Sequence, residues 1–224
     1  MQNRSLTHAP LRTPKAAAIA GVIFSISLCS VFWLLRQSVP SSPNESGMWL
    51  RGSTETVELA LNIVPFAGIA FLWFIGVLRD RLGPAEDRFF ATVFFGSGLL
   101  YLAMLFGAAA LIGALTIAFH ANSATLIGSE TFRFARAAIY NLVNIYLMKM
   151  GSVFMLSTST LAIYTEFAPR WLAWLGYAMS IILLFGSYYI GWSFILFPLW
   201  VLLTSIYIFV DNVYLRPQAP QSSG

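Results

Sequence analysis

Lys149 is the charged residue inside an otherwise uncharged apolar run at 137–165, and amides and hydroxyls recur around it: Asn141, Asn144, Ser152, Ser159 and Thr160. On a helix turning about 100° per residue, Asn141, Ser152 and Ser159 fall within about 20° of one another, with Lys149 about 80° further round. One half of such a helix is polar. An ammonium among amides and hydroxyls suits an anionic or zwitterionic small molecule or a lipid headgroup, and the same groups suit polar contacts that lock one helix to the next. The acid nearest to Lys149 in depth is Glu58, with Asn62 four residues on and therefore on the same helix face. Lys149, Asn141, Asn144, Ser152, Glu58 and Asn62 together form a candidate ligand-binding set, on condition that the helices carrying them touch.

Other chemistries lack their residues. A single cysteine, Cys29, and two histidines, His8 and His120, supply no ligand set for structural zinc, an iron–sulfur cluster or a bis-histidine haem, and they exclude an intrachain disulfide. No metal or cofactor is expected. A retinal Schiff base needs a buried acidic counterion, and proton-coupled transport needs chains of Asp, Glu or His within the membrane; neither is present at mid-depth. A hydrolase would have to recruit His120 without a Gly-x-Ser-x-Gly elbow, and His120 and Glu166 are poor candidates for any membrane enzyme. The group Glu86-Asp87-Arg88 after Gly83-Pro84 reads as the acidic start of a helix rather than a metal site. Asn44-Glu45-Ser46 fits a glycosylation sequon that matters only in a eukaryotic secretory pathway.

The elements that position these residues follow from composition. Of 224 residues, 58% are hydrophobic and 10% charged, and the mean hydropathy is +0.74; a soluble domain carries about 25% charged residues. A chain of this length has too little interior to hide so much apolar side chain, so a lipid bilayer is the expected surrounding. Crossing about 30 Å of hydrocarbon takes about 20 apolar residues, and runs near 16–35, 54–78, 89–119 and 137–165 meet that length. The first run follows Arg4, Arg12 and Lys15 as a secretory signal would, but no small-residue cleavage site follows it, so we read a retained span. Ser53 reads as the N-cap of the second span, with Glu55 in its first turn. The uncharged stretch 171–210 would extend about 60 Å as one helix. It must fold back, with its corner at 186–193, giving spans near 171–188 and 193–211. The expectation is an all-α bundle of six transmembrane helices in one domain over 1–215, followed by a disordered tail at 216–224. Pro65 and Pro198 fall inside the second and sixth spans, where proline tends to kink a helix.

Basic residues set the orientation. With the N-terminus inside, Arg4, Arg12, Lys15, Arg79, Arg81, Arg88, Arg170 and Arg216 are cytoplasmic, and Arg36, Arg51, Arg133 and Arg136 lie outside. That imbalance favours two cytoplasmic termini. The pI of about 9.4 does not indicate nucleic acid, because the basic residues sit singly at the ends of apolar runs. Small residues recur at helical spacing: Gly21, Ser25 and Cys29 in the first span; Gly96, Ala103, Gly107, Ala110 and Ala114 in the third; Gly176, Ser180, Ser187 and Gly191 in the fifth. Such stripes let helices approach closely, either within the chain or against a second copy or a partner membrane protein. Two functions follow as expectations: a small-molecule transporter or ligand-binding protein using Lys149, or an accessory subunit that docks a partner through these faces.

The segment Phe71-Leu72-Trp73-Phe74-Ile75-Gly76-Val77-Leu78-Arg79-Asp80-Arg81-Leu82-Gly83, continued by Glu86-Asp87-Arg88-Phe89-Phe90-Ala91-Thr92-Val93, resembles part of a family of uncharacterised multi-pass bacterial integral membrane proteins. The resemblance is confined to 71–93. It implies a bacterial inner (plasma) membrane and carries no activity.

Overall fold

The computed structural model describes residues 13–40, 47–82, 88–166, 168–186 and 191–211. Among them the chain is helical throughout: α1 (Thr13–Ser38), α2 (Leu50–Leu82) after a 3-10 turn at Gly47–Trp49, α3 (Arg88–Ala121), α4 (Ser123–Leu126), α5 (Glu130–Asn141), α6 (Met148–Thr165), α7 (Arg170–Ile181) and α8 (Leu196–Val210). A π-type segment, Leu142–Leu147, joins α5 to α6; a second, Ile182–Gly186, extends α7; a 3-10 turn, Ser193–Ile195, opens α8. The tail 216–224, the Gly83-Pro84 and Glu86-Asp87 group, the sequon at Asn44, and Ser187 lie outside the described residues.

Five stretches are long and apolar enough to cross a membrane: Ala18–Ser38, Gly47–Arg79, Ala91–Ala121, Glu130–Thr165 and Ser193–Val210. Arg170–Gly186 is apolar but shorter. Two boundaries differ from the sequence expectation. Ser53 does not cap α2, which starts at Leu50; Leu50 is buried and Gly47 lies against the Phe132 ring, so packing draws the helix back by a turn, and the Thr54 hydroxyl donates to the Leu50 carbonyl inside it. The fourth long helix starts at Glu130 rather than near 137. Ser129 caps it, its hydroxyl accepting from the Phe132 N–H at 3.1 Å, and the two arginines do not end it, because Arg133 reaches Glu130 at 2.8 Å while Arg136 turns inward. Pro198 sits in the first turn of α8, where a missing N–H costs little, and α2 runs through Pro65. Glu166, with φ of 51°, takes the left-handed conformation that closes α6.

Neighbouring helices run antiparallel. Phe24 stacks on Phe71 at 4.5 Å between α1 and α2, and α3 returns along α2, with Ile75 beside Gly98, Phe106 beside Gly68 and His120 at Glu58. Phe94 meets Phe154 at 4.9 Å between α3 and α6, and α7 climbs back along α6. Then α8 descends beside α1, with Phe32 at 5.1 Å from Phe194 near one end and Gly21 against Ser205 near the other. Among the described residues α8 thus runs antiparallel to α1, and α1 begins at the end where α8 finishes. We call that the near end; the far end holds the last turn of α1, the start of α2, and α4.

Five helices each place an aromatic ring in the centre: Phe24, Phe71, Tyr101, Phe154 and Phe197, with Tyr101 at 4.3 Å from Phe197 and Phe71 at 5.2 Å from Phe154. Outward faces carry large apolar side chains instead of charge; Ile117 is 72% exposed and Phe66 68%. Trp33 and Trp192 are exposed toward the far end, and Trp171 and Trp174 toward the near end, an arrangement compatible with aromatic belts at two membrane interfaces.

Candidate functional site

The polar half of α6 faces α7. The Lys149 ammonium donates to the Leu184 carbonyl, in the π-type segment that extends α7. Ser152 donates to the Ser180 carbonyl at 2.7 Å, and Thr160 and Tyr177 share a hydrogen bond of 2.8 Å. Ser159 lies against Gly176, whose missing side chain lets the two backbones approach. Hydroxyls and an ammonium at this depth need partners; α7 supplies backbone carbonyls for Lys149 and Ser152 and the Tyr177 hydroxyl for Thr160, whereas the buried Ser159 hydroxyl has no hydrogen-bond partner among the described residues.

The remaining members of the candidate set are dispersed. Asn144 lies in the π-type segment, its amide donating to the Tyr140 carbonyl at 3.1 Å, and it lines a cavity at the far end. Asn141 and Asn62 are exposed. Glu58 does not reach Lys149; its carboxylate is 2.9 Å from His120 Nε2, an exposed pair joining α2 to α3. The structure thus joins Lys149 and Ser152 to α7, brings Asn144 to the cavity, and leaves Glu58, Asn62 and Asn141 apart from both. No group of three or more His, Cys, Asp or Glu that could hold a metal ion occurs among the described residues.

The cavity encloses about 160 Å³ among the end of α1, the start of α2, α3, α5 and the π-type segment. Its apolar walls include Phe32, Leu115, Ile139 and Val143; its polar members are Arg36, Arg136, Tyr140 and Asn144, and no carboxylate lines it among the described residues. Arg136 is only 6% exposed; it donates to the Pro40 carbonyl at 2.9 Å and lies 5.5 Å from the Trp49 ring centroid, so it ties the chain leaving α1 to the chain entering α2. Arg36 is exposed, 5.5 Å from the Trp192 ring centroid. Sequence reasoning counted both arginines as topological charges only. A signal was available for Arg136: Phe132, Arg136, Ile139 and Val143 recur at intervals of four, three and four, which puts this arginine on the buried stripe of its helix.

Two of the small-residue stripes are internal in part, whereas Gly191 is exposed and Cys29 half-buried. Gly21 packs on Phe74 and Ser205, and Gly176 on Ser159 and Trp200. The α3 stripe turns outward at Ala103, Ala110 and Ala114. An all-helical chain with five apolar helices of membrane-crossing length is compatible with an integral membrane protein. Comparison with family models, with curated proteins and with solved structures returns no match to this chain.

Proposed function

We propose that this chain is a six-span protein of a bacterial inner membrane, with both termini cytoplasmic, that binds a small anionic amphiphile in the cavity at its outer, far end. The sixth span is the Arg170–Gly186 rod, the shared end of α1 and α8 supports an even number of crossings, and the basic residues of the near end support a cytoplasmic placement. Reporter fusions test this: a fusion following Asp211 should read cytoplasmic and one in the turn at Gly128 periplasmic, and a periplasmic reading at Asp211 refutes the topology.

The observation that carries the binding reading is the 160 Å³ cavity lined by two guanidiniums and an amide over apolar walls. Arg36 and Asn144 are the ligand groups, whereas Arg136 holds the cavity's shape and Lys149 holds α7 to α6. Octyl phosphate added to the chain in a neutral detergent should bind saturably, with an affinity about tenfold lower in Arg36→Gln, the loss of one charge-assisted hydrogen bond. Non-saturable uptake that Arg36→Gln leaves unchanged refutes it. The outward stripe on α3 supports a second reading, docking of a second copy or a partner helix; light scattering of the solubilised chain tests the homotypic form, which a monomer refutes.

A further inference from the structure

We infer that the natural occupant of the cavity is an anionic phospholipid taken sideways from the bilayer, its phosphate at Arg36 and one acyl chain in a groove on the outer flank of α1; this rests on the amphiphile reading above. The cavity alone equals about five waters of liquid volume, below the roughly 300–1,000 Å³ of an ordinary small-molecule pocket. It accommodates a headgroup, and the rest of an amphiphile must leave through a wall. That wall is shared. Phe32, Arg36 and Phe194 also line a second depression, of about 440 Å³, on the outward side of α1, bounded by Cys29, Ser30, Trp33 and Ile195.

Between Cys29 and Arg36 the groove follows α1 for about 10 Å of helix rise, and no charge interrupts it. The Ser30 hydroxyl is returned to its own backbone, donating to the Ile26 carbonyl at 2.9 Å, so the groove meets a chain as an apolar surface. Arg36 stands where groove and cavity join, with Trp192 on one side and Gly191 beside its Nη2. A guanidinium presents a fork of donors that matches phosphate geometry. Charge complementarity therefore selects an anionic head, and the groove selects a chain that a free anion lacks. Trp33 and Trp192, both exposed, suit the headgroup layer in which such a lipid sits.

The test uses the full chain in nanodiscs of phosphatidylcholine with or without phosphatidylglycerol. Retained lipid is measured by native mass spectrometry after detergent extraction, and protection of Cys29, the only cysteine, by its rate of alkylation with N-ethylmaleimide. Phosphatidylglycerol should be retained in preference to phosphatidylcholine and should slow alkylation. Retention should fall about tenfold in Arg36→Gln and fall also in Ser30→Trp, which fills the groove from an exposed position and carries the test if Arg36→Gln does not fold. Equal retention in all three chains means annular lipid and overturns the inference. Glycerol phosphate displacing the lipid as well as octyl phosphate does, with Ser30→Trp silent, also overturns it while leaving the cavity reading intact. Binding of neither lipid nor octyl phosphate removes both.

Discussion

Replacing Gly176 by alanine adds one methyl group to the seam between α6 and α7. A Cβ there would lie 2.7 Å from Trp200 Nε1 and 3.1 Å from Trp200 Cε2, and it would overlap the Ser159 hydroxyl. The hydroxyl can rotate away, but the indole cannot, because Trp200 is buried with Leu172 and Gly176 on one side and the aromatic centre on the other. Either the ring or the α7 backbone must move. Overpacking of this size costs about 1–3 kcal/mol, and alanine's better helix propensity returns about 0.5–1 kcal/mol, for a net destabilisation of about 1 kcal/mol or somewhat more. Gly96→Ala is the control: nothing lies within 4 Å of a Cβ at 96, so only the propensity gain remains. The same substitution at two helical glycines should then shift stability in opposite directions, by a difference of about 2 kcal/mol. Unfolding the solubilised chain with increasing mole fractions of dodecyl sulfate, followed by tryptophan fluorescence and circular dichroism, measures both, and coincident transitions establish two-state behaviour. If Gly176→Ala proves as stable as Gly96→Ala, α7 does not press on Trp200 of α8, and the close approach assigned to Gly176 fails.

The same titration reads two further substitutions. Lys149→Met loses a charge-assisted bond of about 1.5–3 kcal/mol to the Leu184 carbonyl and removes an ammonium whose placement at mid-membrane costs about 2.5–3.5 kcal/mol; stability should change by less than about 1 kcal/mol and octyl phosphate affinity should stay the same. A large loss of affinity would put the ammonium in the ligand path. Arg136→Met should cost about 2–4 kcal/mol through its bond to the Pro40 carbonyl and its place over Trp49, whereas Arg133→Met, whose partner Glu130 is exposed, should cost less than about 1 kcal/mol. Equal losses would contradict the inward placement of Arg136.

Much of the helical framework was legible because its causes are local. An uncharged run such as 89–119 is long enough to cross lipid and has no other stable conformation there, since every backbone N–H and C=O must be satisfied within the segment; the helix observed is Arg88–Ala121. The separation of 171–210 into two helices, Arg170–Gly186 and Ser193–Val210, followed from the same length argument. Boundaries failed where distant packing intervened: Leu50 joins α2 because residues some eighty positions later cover it, and Arg136 does not end its helix because Pro40 accepts its hydrogen bond.

The candidate site was legible only in part. The depth of Lys149 and the polarity of its helix face are properties of one segment, and both could be read from residue order. Its partner could not, because a backbone carbonyl belongs to every residue and no side-chain type marks Leu184. The sequence by itself thus determined which segments are helical, how long they are and what each face offers. Only the tertiary structure decided which faces meet, and so which small-residue stripes turn inward, which hydroxyls are spent on a neighbouring helix, and that Arg36 and Asn144, distant in the chain, line one cavity. The physical reason is that in lipid the surroundings are as apolar as the helices, so pairing rests on close fit and on a few polar contacts between segments, and these exist only once two helices lie side by side.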